Sequence, residues 1–399
     1  MASSTNGGND KIGEIDFSKL DTLDKFFRLT QPTGSHRRAI SNNLYGINHR
    51  AIKGIIPENR DSYGLVFFTR PALNLSNSNL RNNRKFYSLL TKNPNSIHRY
   101  VRVMLDPRIT RGKGGYAFIP GDTQSLTGSA KKDLSSKDIK AVEAYQQVGK
   151  LPNITCPLVD DKLGFIPVLT NTIKDLSGWP DIALPTYTSK EGLKREQWAI
   201  GDGFVDIYDS FDISCTFRNF RDEPLILLFE TWIRYIAMVF EGMMSPYIDY
   251  IIENEIDYNT RIYRLILDES KTYVKKIAAT GAAFPINVPN GKFFDYSDSE
   301  KYNNSSKDIN INFKCMGAEY NDDILVHEFN QVSCIFNPDF NMLGKKGCPL
   351  VKIPYNLLDL FNNRGYPLIN KETLELEWYV SKESKTYKEI VQAYKTIKI

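Results

Sequence analysis

The feature that most constrains the fold is one stretch, residues 211–236, in which two periodicities follow each other: FDISCTFRNFRDEPLILLFETWIRYI. Its first eight residues alternate apolar and polar side chains, the pattern of a strand that buries one face and leaves the other wet. We expect a strand over residues 211–218. Its wet face would carry the polar residues of this alternation, Asp212, Ser214, Thr216 and Arg218.

The second half of the stretch predicts an amphipathic helix over residues 224–241. Its apolar residues recur at helical spacing, and Glu230 and Arg234 form an i,i+4 pair on the other side. Asp222 is a suitable cap because its carboxylate can accept from the free amides of the first turn. Gly242 is a suitable end because glycine adopts the left-handed conformation that closes many helices.

Composition indicates an ordinary globular protein. The chain has 399 residues, enough for two or three domains, and 41% of them are hydrophobic. No apolar run is long enough for a transmembrane helix, so no membrane insertion is expected. The polar start, MASSTNGGND, reads as a disordered arm without a signal peptide. The odd count of five cysteines favours reduced thiols and synthesis in a cytoplasm, with Cys215 and Cys315 in the core.

The net charge of +4 does not predict a nucleic-acid binder, because Lys and Arg are spread among 47 acidic residues. Further strands are expected from apolar alternation and short apolar runs at residues 64–69, 98–106, 260–267, 272–282, 308–317 and 322–332. Helices are expected at residues 16–29, 136–149, 165–179, 357–365 and 384–397. From these elements we predict four regions: an arm with a short helix (1–40), a mixed α/β region (41–165), a β domain containing the helix at 224–241 (166–334), and an extension ending in a helix (335–399).

A search for chemistry finds no catalytic, cofactor-binding or metal-binding motif. The histidine in HEFN, His327, lacks the second histidine of a zinc-protease motif and is predicted to lie on a strand. The carboxylate pairs Asp160–Asp161 and Asp322–Asp323 are common surface features unless they are buried. We therefore expect no cofactor and a protein that is not an enzyme. The alternative is a dispersed active site around Asp160, Asp161 and His327.

An ordered set of segments in the second half of the chain resembles the tail-tube fold of contractile-tailed bacteriophages and related injection machines. The set runs from an alternating strand ending in T-F-R, through a helix with F-x-x-W and a polar connection, to a hairpin, a G-A-F-P-type turn and a last I-x-I-x-F strand. Its members are ISCTFR (213–218), LLFETWIRYI (227–236), SPYIDY (245–250), RIYRLIL (261–267), ATGAAFP (279–285) and DININFKC (308–315).

The resemblance implies an α+β fold: a tail-tube-like β-barrel or sandwich with a packed amphipathic helix, preceded by a mixed α/β extension. It implies a virion structural protein, a tail tube or tube-initiating baseplate component in hexameric rings. Viral DNA would pass without specific binding along a lumen lined by Asp212, Ser214 and Thr216. Neighbouring tail, baseplate or sheath proteins would be partners. Contacts between subunits are expected from the linker at 243–257, through Met243, Met244, Tyr247 and Tyr250, although this linker is equally suited to folding back on its own core.

A second reading remains open. The chain carries about two hundred residues before the strand at 211–218, more than a simple tube subunit needs. A head–tail connector or a tail-terminator ring protein would use a similar sheet and helix in rings without polymerising.

Overall fold

The computed structural model describes residues 63–109 and 156–388, apart from gaps at residues 82, 92–95, 157, 205–206, 269, 292–293, 295–306, 346, 355–364 and 385–386. In chain order its α-helices are α1 (Asn77–Leu80), α2 (Arg84–Thr91), α3 (Ile97–Leu105), α4 (Pro167–Thr172), α5 (Pro224–Phe240), α6 (Ile248–Glu253) and α7 (Asp323–Phe336). Its strands are β1 (Tyr63–Phe68), β2 (Ile173–Ser177), β3 (Thr186–Thr188), β4 (Ala199–Gly201), β5 (Ile207–Arg218), β6 (Ile262–Leu267), β7 (Val274–Pro285), β8 (Asp308–Tyr320), β9 (Leu350–Lys352), β10 (Tyr366–Ile369) and β11 (Leu376–Ser381).

Six strands form one antiparallel sheet in the order β1-β6-β7-β8-β5-β2. This sheet confirms the predicted strands at 64–69, 211–218, 260–267, 272–282 and 308–317. β1 comes from the part of the chain predicted as an N-terminal α/β region, and it pairs with β6 at one edge of the sheet. β2 forms the other edge, against β5. A three-stranded sheet, β10-β11-β9, and a two-stranded hairpin, β3-β4, complete the described strands.

A hydrophobic core covers one face of the six-stranded sheet along its whole width. Three inward residues of β5, Ile213, Cys215 and Phe217, are fully buried, as the alternation predicts, and they meet the apolar side of α5. Phe229 of α5 lies 5.6 Å from the Phe217 ring and 5.8 Å from the Phe313 ring of β8, measured between centroids. The predicted core cysteines, Cys215 and Cys315, are also fully buried there. All five cysteines are free.

A second core covers the opposite face, but only at the β1-β6-β7 half of the sheet. Its centre is Phe329 of α7, whose ring centroid lies 4.9 Å from that of Phe165 and 5.1 Å from that of Phe67. The three-stranded sheet packs on the same cluster through Trp378 and its neighbours. Within the described part of the chain no second core covers the β8-β5-β2 half, and its outward side chains are exposed or half-buried.

Two segments predicted as strands are helices. Residues 98–105 lie in α3, which Ser96 caps by accepting from the Arg99 amide, and the five residues from Val101 to Leu105 are all buried. Residues 322–332 lie in α7, capped by Asp322 through the Ile324 amide at 2.9 Å. In both cases a short apolar run fitted either period, and the capping residue before it favours the helix. His327 therefore lies on an exposed helix surface, and its assignment to a strand is wrong.

The helix predicted over residues 165–179 is also wrong in its second half. Helix α4 ends at Thr172, and the next five residues become the edge strand β2 because they pair with β5. Gly178, with φ of 105°, ends this strand and not a helix.

The predicted cap of α5 is wrong as well. Glu223 occupies the cap position without a side-chain hydrogen bond, and both Asp222 and Glu223 have positive φ. Pro224 begins the helix as expected, since its fixed φ suits the first turn.

Several predictions fall outside the described residues: the helices at 16–29 and 136–149, most of the helix at 357–365, and most of the helix at 384–397. Within the described part of the chain, no helix is both long enough and apolar enough to cross a bilayer.

Candidate channel-lining face and assembly surfaces

The predicted wet residues lie together on one continuous surface, which we call the polar face. On β5, Asp212 and Arg218 are exposed, and Ser214 and Thr216 are half-buried, while the residues between them are buried on the other side. The neighbouring strands extend the surface, because the residues directly opposite share its side of the sheet. The polar face consists of Lys174, Asp175 and Ser177 of β2, Asp212, Ser214, Thr216 and Arg218 of β5, and Asp308, Asn310, Asn312 and Lys314 of β8.

Opposite charges are paired across the strands of the polar face. Asp212 forms an ion pair with Lys314 at 3.0 Å, and Lys174 forms one with Asp308 at 2.5 Å. The Thr216 hydroxyl donates to Asn310 Oδ1 at 2.9 Å. Its three carboxylates and three cations balance, so the surface is hydrophilic without a net charge.

The linker residues predicted for contact between subunits divide between two sides. Met244 is buried in the helix-side core, and Met243 is 49% exposed. The Tyr247 hydroxyl donates to Asp106 Oδ2 at 2.8 Å, and Tyr250 lies under the Arg108 guanidinium, 5.0 Å from ring centroid to Cζ. The structure therefore directs Met244, Tyr247 and Tyr250 toward their own chain and leaves Met243 accessible.

Buried polar groups hold the linker in this position. Arg108 pairs with Asp249 at 2.8 Å and stacks over the Tyr247 ring at 4.6 Å. Asp106, fully buried, also accepts from the Leu75 amide at 2.8 Å. Burial raises the pKa of Asp106 to about 6, although the hydrogen bond from Tyr247 opposes the rise.

A neighbouring pair repeats this arrangement. The Tyr235 hydroxyl donates to Asp257, and burial raises the pKa of Asp257 to about 6. These contacts fix the linker on α3 and α5 and leave only its outer side for other molecules.

The outer side of the linker is apolar, which sequence reasoning missed. Helix α6 exposes Ile248, Ile251 and Ile252, at the spacing of one helical stripe. The signal was present in YIDYIIENEI (247–256), where four isoleucines accompany Tyr247 and Tyr250, but the predicted contacts included only the tyrosines and methionines of the linker.

A projecting hairpin is the largest feature that the sequence did not reveal. The segment after β2 contains β3 and β4, paired from Thr186↔Gly201 to Thr188↔Ala199. Of residues 181–204, all but Ser189 are exposed, and Trp198 is 76% exposed. The hairpin is fixed at its base, where Trp179 packs on Tyr320 with ring centroids 6.0 Å apart.

Two residues of the enzyme alternative, Asp160 and His327, contact different residues of the chain. Asp160 accepts from the Tyr366 hydroxyl at 2.6 Å, and His327 Nδ1 lies 2.8 Å from Lys371 Nζ on the exposed side of α7. Among the described residues, no group of three or more His, Cys, Asp or Glu side chains is placed to hold a metal ion.

Comparison with solved structures gives similarity to parts of contractile injection systems. One is the tube-terminating cap of the anti-feeding prophage, at 15% identity and a TM-score of 0.24, covering 39% of this chain and 81% of the cap. Another is the sheath/tube terminator of an extracellular contractile injection system, at 14% identity and a TM-score of 0.22, covering 39% of this chain and 86% of that one. Similarity at this level supports no conclusion about this chain.

Two sequence comparisons were made, one with curated protein sequences and one with family profiles, and they gave different results. No curated protein sequence matches the chain. A family profile described as "Putative phage tail tube protein" matches residues 3–396, nearly the whole length. The chain therefore belongs to this family of phage tail tube proteins.

Proposed function

We propose that copies of this chain form closed rings, six to a ring, and that the polar face of each copy lines a channel through which viral DNA passes. The observation that carries the proposal is the one-sided sheet. Its β8-β5-β2 half is buried on the helix side and carries a continuous hydrophilic surface on the other. Such a half-sheet suits the inner wall of a ring, where one side meets water and the other meets protein.

The edges of the sheet support association around an axis. Among the described strands β2 pairs only with β5, so its outer edge is suited to pairing with another strand. A head-to-tail contact between different surfaces of identical subunits closes into a ring when its rotation permits. Stacked rings would then form a tube.

The charge balance of the polar face suits DNA passage. Each cation that neutralises a phosphate releases counterions and adds affinity, so a basic channel would retain DNA. Here Lys174 and Lys314 are already paired with Asp308 and Asp212. A hydrophilic wall without excess positive charge would let the duplex slide.

The proposal places the protein in the tail of the virion, made in the cytoplasm of the host cell. The helices on the opposite side of the sheet, α3 and α5, would face outward toward sheath, baseplate or other tail proteins. No membrane insertion and no cofactor form part of this proposal.

Electron microscopy of the purified full chain at rising concentration tests the proposal. Hollow tubes or six-fold rings are the expected result. A strictly monomeric protein at high concentration would contradict self-assembly. Rings that never extend would favour the alternative, a connector or terminator.

A label tests the orientation of the polar face in such rings. Ser214→Cys, coupled to a gold particle, is expected to place density inside the channel. Glu372→Cys, at an exposed turn of the C-terminal part, is the matched control and is expected to place the particle elsewhere. Gold from Ser214→Cys on the outer surface would overturn the channel assignment.

A further inference from the structure

Helix α6 contributes no buried residue to the protein, although both ends of the linker that contains it are held in place. Near the start of the linker, the Ser245 amide donates to Asn79 Oδ1 at 3.1 Å. At its end, the Ala72 amide donates to the Asp257 carbonyl at 3.0 Å. The position of residues 246–256, between these two ends, therefore depends on few contacts.

These few contacts meet at one short segment that follows α3. Among the described residues, the polar contacts of residues 246–256 with other parts of the chain all involve Asp106 or Arg108. The Tyr247 hydroxyl donates to Asp106, and Arg108 contacts both Asp249 and the Tyr247 ring. A segment held in this way opens at low cost, because little apolar surface is exposed when it leaves.

The carboxyl of Asp106 is fully buried, and it forms no ion pair within the described part of the chain. It accepts three hydrogen bonds: from the Leu75 amide at 2.8 Å, the Arg108 amide at 3.1 Å and the Tyr247 hydroxyl at 2.8 Å. These bonds favour the charged form, whereas complete burial opposes it. Burial has the larger effect, and the pKa of Asp106 is therefore raised to about 6.

The two cations near Asp106 are directed to other acceptors. Arg102 of α3 donates to the Leu75 carbonyl from Nε at 3.0 Å and from Nη2 at 2.7 Å. The Arg108 guanidinium pairs with Asp249 at 2.8 Å. Both arginines lower the pKa of Asp106 only through space, which is too weak to offset its burial.

The other titratable neighbours of Asp106 are two tyrosines and one further carboxyl. Tyr247 of the linker and Tyr235 of α5 interact with it electrostatically, and burial raises the pKa of both hydroxyls, so both stay neutral while a carboxyl titrates. Asp257, bonded to Tyr235, also has a pKa of about 6. Its end of the linker is held by the backbone bond from Ala72, whatever the charge of its side chain.

A proton on Asp106 preserves the contact with α6 and removes the buried charge. The neutral carboxyl can donate to the Tyr247 oxygen, because a tyrosine hydroxyl accepts as well as donates. When α6 moves away, Tyr247 moves with it and water reaches the carboxyl, which favours the charged form. The docked position of α6 therefore binds a proton more tightly than the undocked position.

We propose that α6 docks reversibly on Asp106 and that a proton on this carboxyl favours the docked position. Acidification would hold the isoleucine stripe of α6 in one orientation, and a rise in pH would free it while both ends of the linker stay attached. The proposal goes beyond the proposed function and does not depend on it, because a single unassembled chain would behave in this way.

The sign of the pH dependence follows from the raised pKa of the docked state. The preference for docking is complete at low pH and is lost as pH rises through about 6. With an ordinary aspartate pKa in the undocked state, the equilibrium constant for opening is expected to rise about tenfold from pH 5 to pH 8.

Hydrogen exchange of the full chain, at concentrations below those at which it assembles, tests the proposal. The Ile251 and Glu255 amides donate to carbonyls within the linker, and a helix of six residues does not persist once it is undocked. Their exchange rates, divided by the intrinsic rate at each pH, are expected to show the tenfold rise. The Thr260 amide, bonded to the Ala283 carbonyl of the sheet at 2.8 Å, is the reference and is expected to exchange more slowly at both pH values.

Two substitutions that each remove one carboxylate distinguish Asp106 from other acids. Asp106→Asn is uncharged at every pH and is expected to lose the tenfold response. With its oxygen in the place of Oδ2 it keeps the bonds with Leu75 and Tyr247 and loses the one from the Arg108 amide. Glu253→Gln, which removes an exposed charge from α6 itself, is the matched control and is expected to keep the response.

A third substitution leaves Asp106 in place and tests the contact directly. Tyr247→Phe removes the hydroxyl that meets Asp106 but keeps the ring beside Arg108, and it is expected to make the α6 amides exchange faster at both pH values. Unchanged exchange in this variant would mean that the hydroxyl does not hold α6, and the proposal would be wrong.

Three further results would overturn the proposal. One is α6 exchange in the parent chain that does not differ between pH 5 and pH 8 after division by the intrinsic rate. Another is a tenfold response that persists in Asp106→Asn, which would assign it to a different group. The last is equal exchange of the α6 and Thr260 amides, which would show that the linker opens only when the whole chain unfolds.

Discussion

The two halves of the six-stranded sheet differ in how many faces they bury. β1, β6 and β7 lie between two cores, one of which is centred on the aromatic residues around Phe329. β8, β5 and β2 have a core on the helix side only, and their other face is hydrophilic. The doubly covered half therefore contributes mainly to the stability of the fold, whereas the singly covered half keeps one surface that other molecules can contact.

The largest expected effect is in the doubly covered half. Phe329→Ala removes a fully buried ring that packs against Phe67, Phe165 and Tyr263, and we expect a loss of about 3–5 kcal/mol in the free energy of unfolding. Denaturant titration of the unassembled chain measures it. A loss below about 1 kcal/mol would mean that this half is not the stabilising one.

The next effect concerns the attachment of the three-stranded sheet to α7. Asn330 donates from Nδ2 to the Ile369 carbonyl at 2.6 Å and accepts from the Ile369 amide at 2.8 Å. Asn330→Ala leaves both buried backbone groups without this partner, and we expect a loss of about 2–3 kcal/mol. Hydrogen exchange of the Ile369 amide is also expected to become faster. An unchanged exchange rate would mean that the Asn330 side chain does not hold this strand in place.

A third test contrasts buried carboxylates on the helix side with the exposed ones of the polar face. The folded-state pKa values of Asp106 and Asp257 are raised to about 6, so between pH 4 and 6 the folded chain binds more protons than the unfolded chain. Stability from these groups is present at low pH and is lost as pH rises through 6. In the parent chain the free energy of unfolding falls as pH rises from 4 to 7, and we expect Asp106→Asn to make this fall smaller by about 2 kcal/mol. Equal pH slopes for the two proteins, measured by denaturation from pH 4 to 7, would contradict it.

The smallest effect is expected on the polar face. Asp212 and Lys314 form an ion pair whose side chains are 60% and 36% exposed, so Asp212→Ala is expected to change the free energy of unfolding by no more than about 0.5 kcal/mol. Denaturant titration checks this value. A loss as large as that of Phe329→Ala would show that the two halves do not differ in the way described.

The sequence revealed elements whose period was long and unambiguous. The strand at 211–218 and the helix after it were predicted because one face of each is buried, so their periods of 2 and 3.6 were visible. The polar face followed from the same alternation, and the structure brings Asp212, Ser214 and Thr216 together on it. Their role in a channel stays a prediction.

The elements that sequence reasoning missed depend on contacts elsewhere in the chain. β2 is a strand because β5 lies beside it, and nothing in its five residues distinguishes it from the end of α4. The linker tyrosines looked suited to a neighbouring subunit, but Arg108 and Asp106, from a distant segment, bind them to their own chain. Local periodicity carries no information about such partners.

The position of β1 at the edge of the sheet has a consequence for synthesis. Its partner strand is made late: Thr69, just after β1, hydrogen-bonds Thr260, 191 residues further along. At ordinary translation rates, roughly 10–40 s separate the two. During that time the apolar residues of β1 have left the ribosome without their partner, and long-range pairing of this kind folds slowly. The supply of competent subunits would then be limited by the folding of each chain, and chaperones that shield β1 would raise the yield.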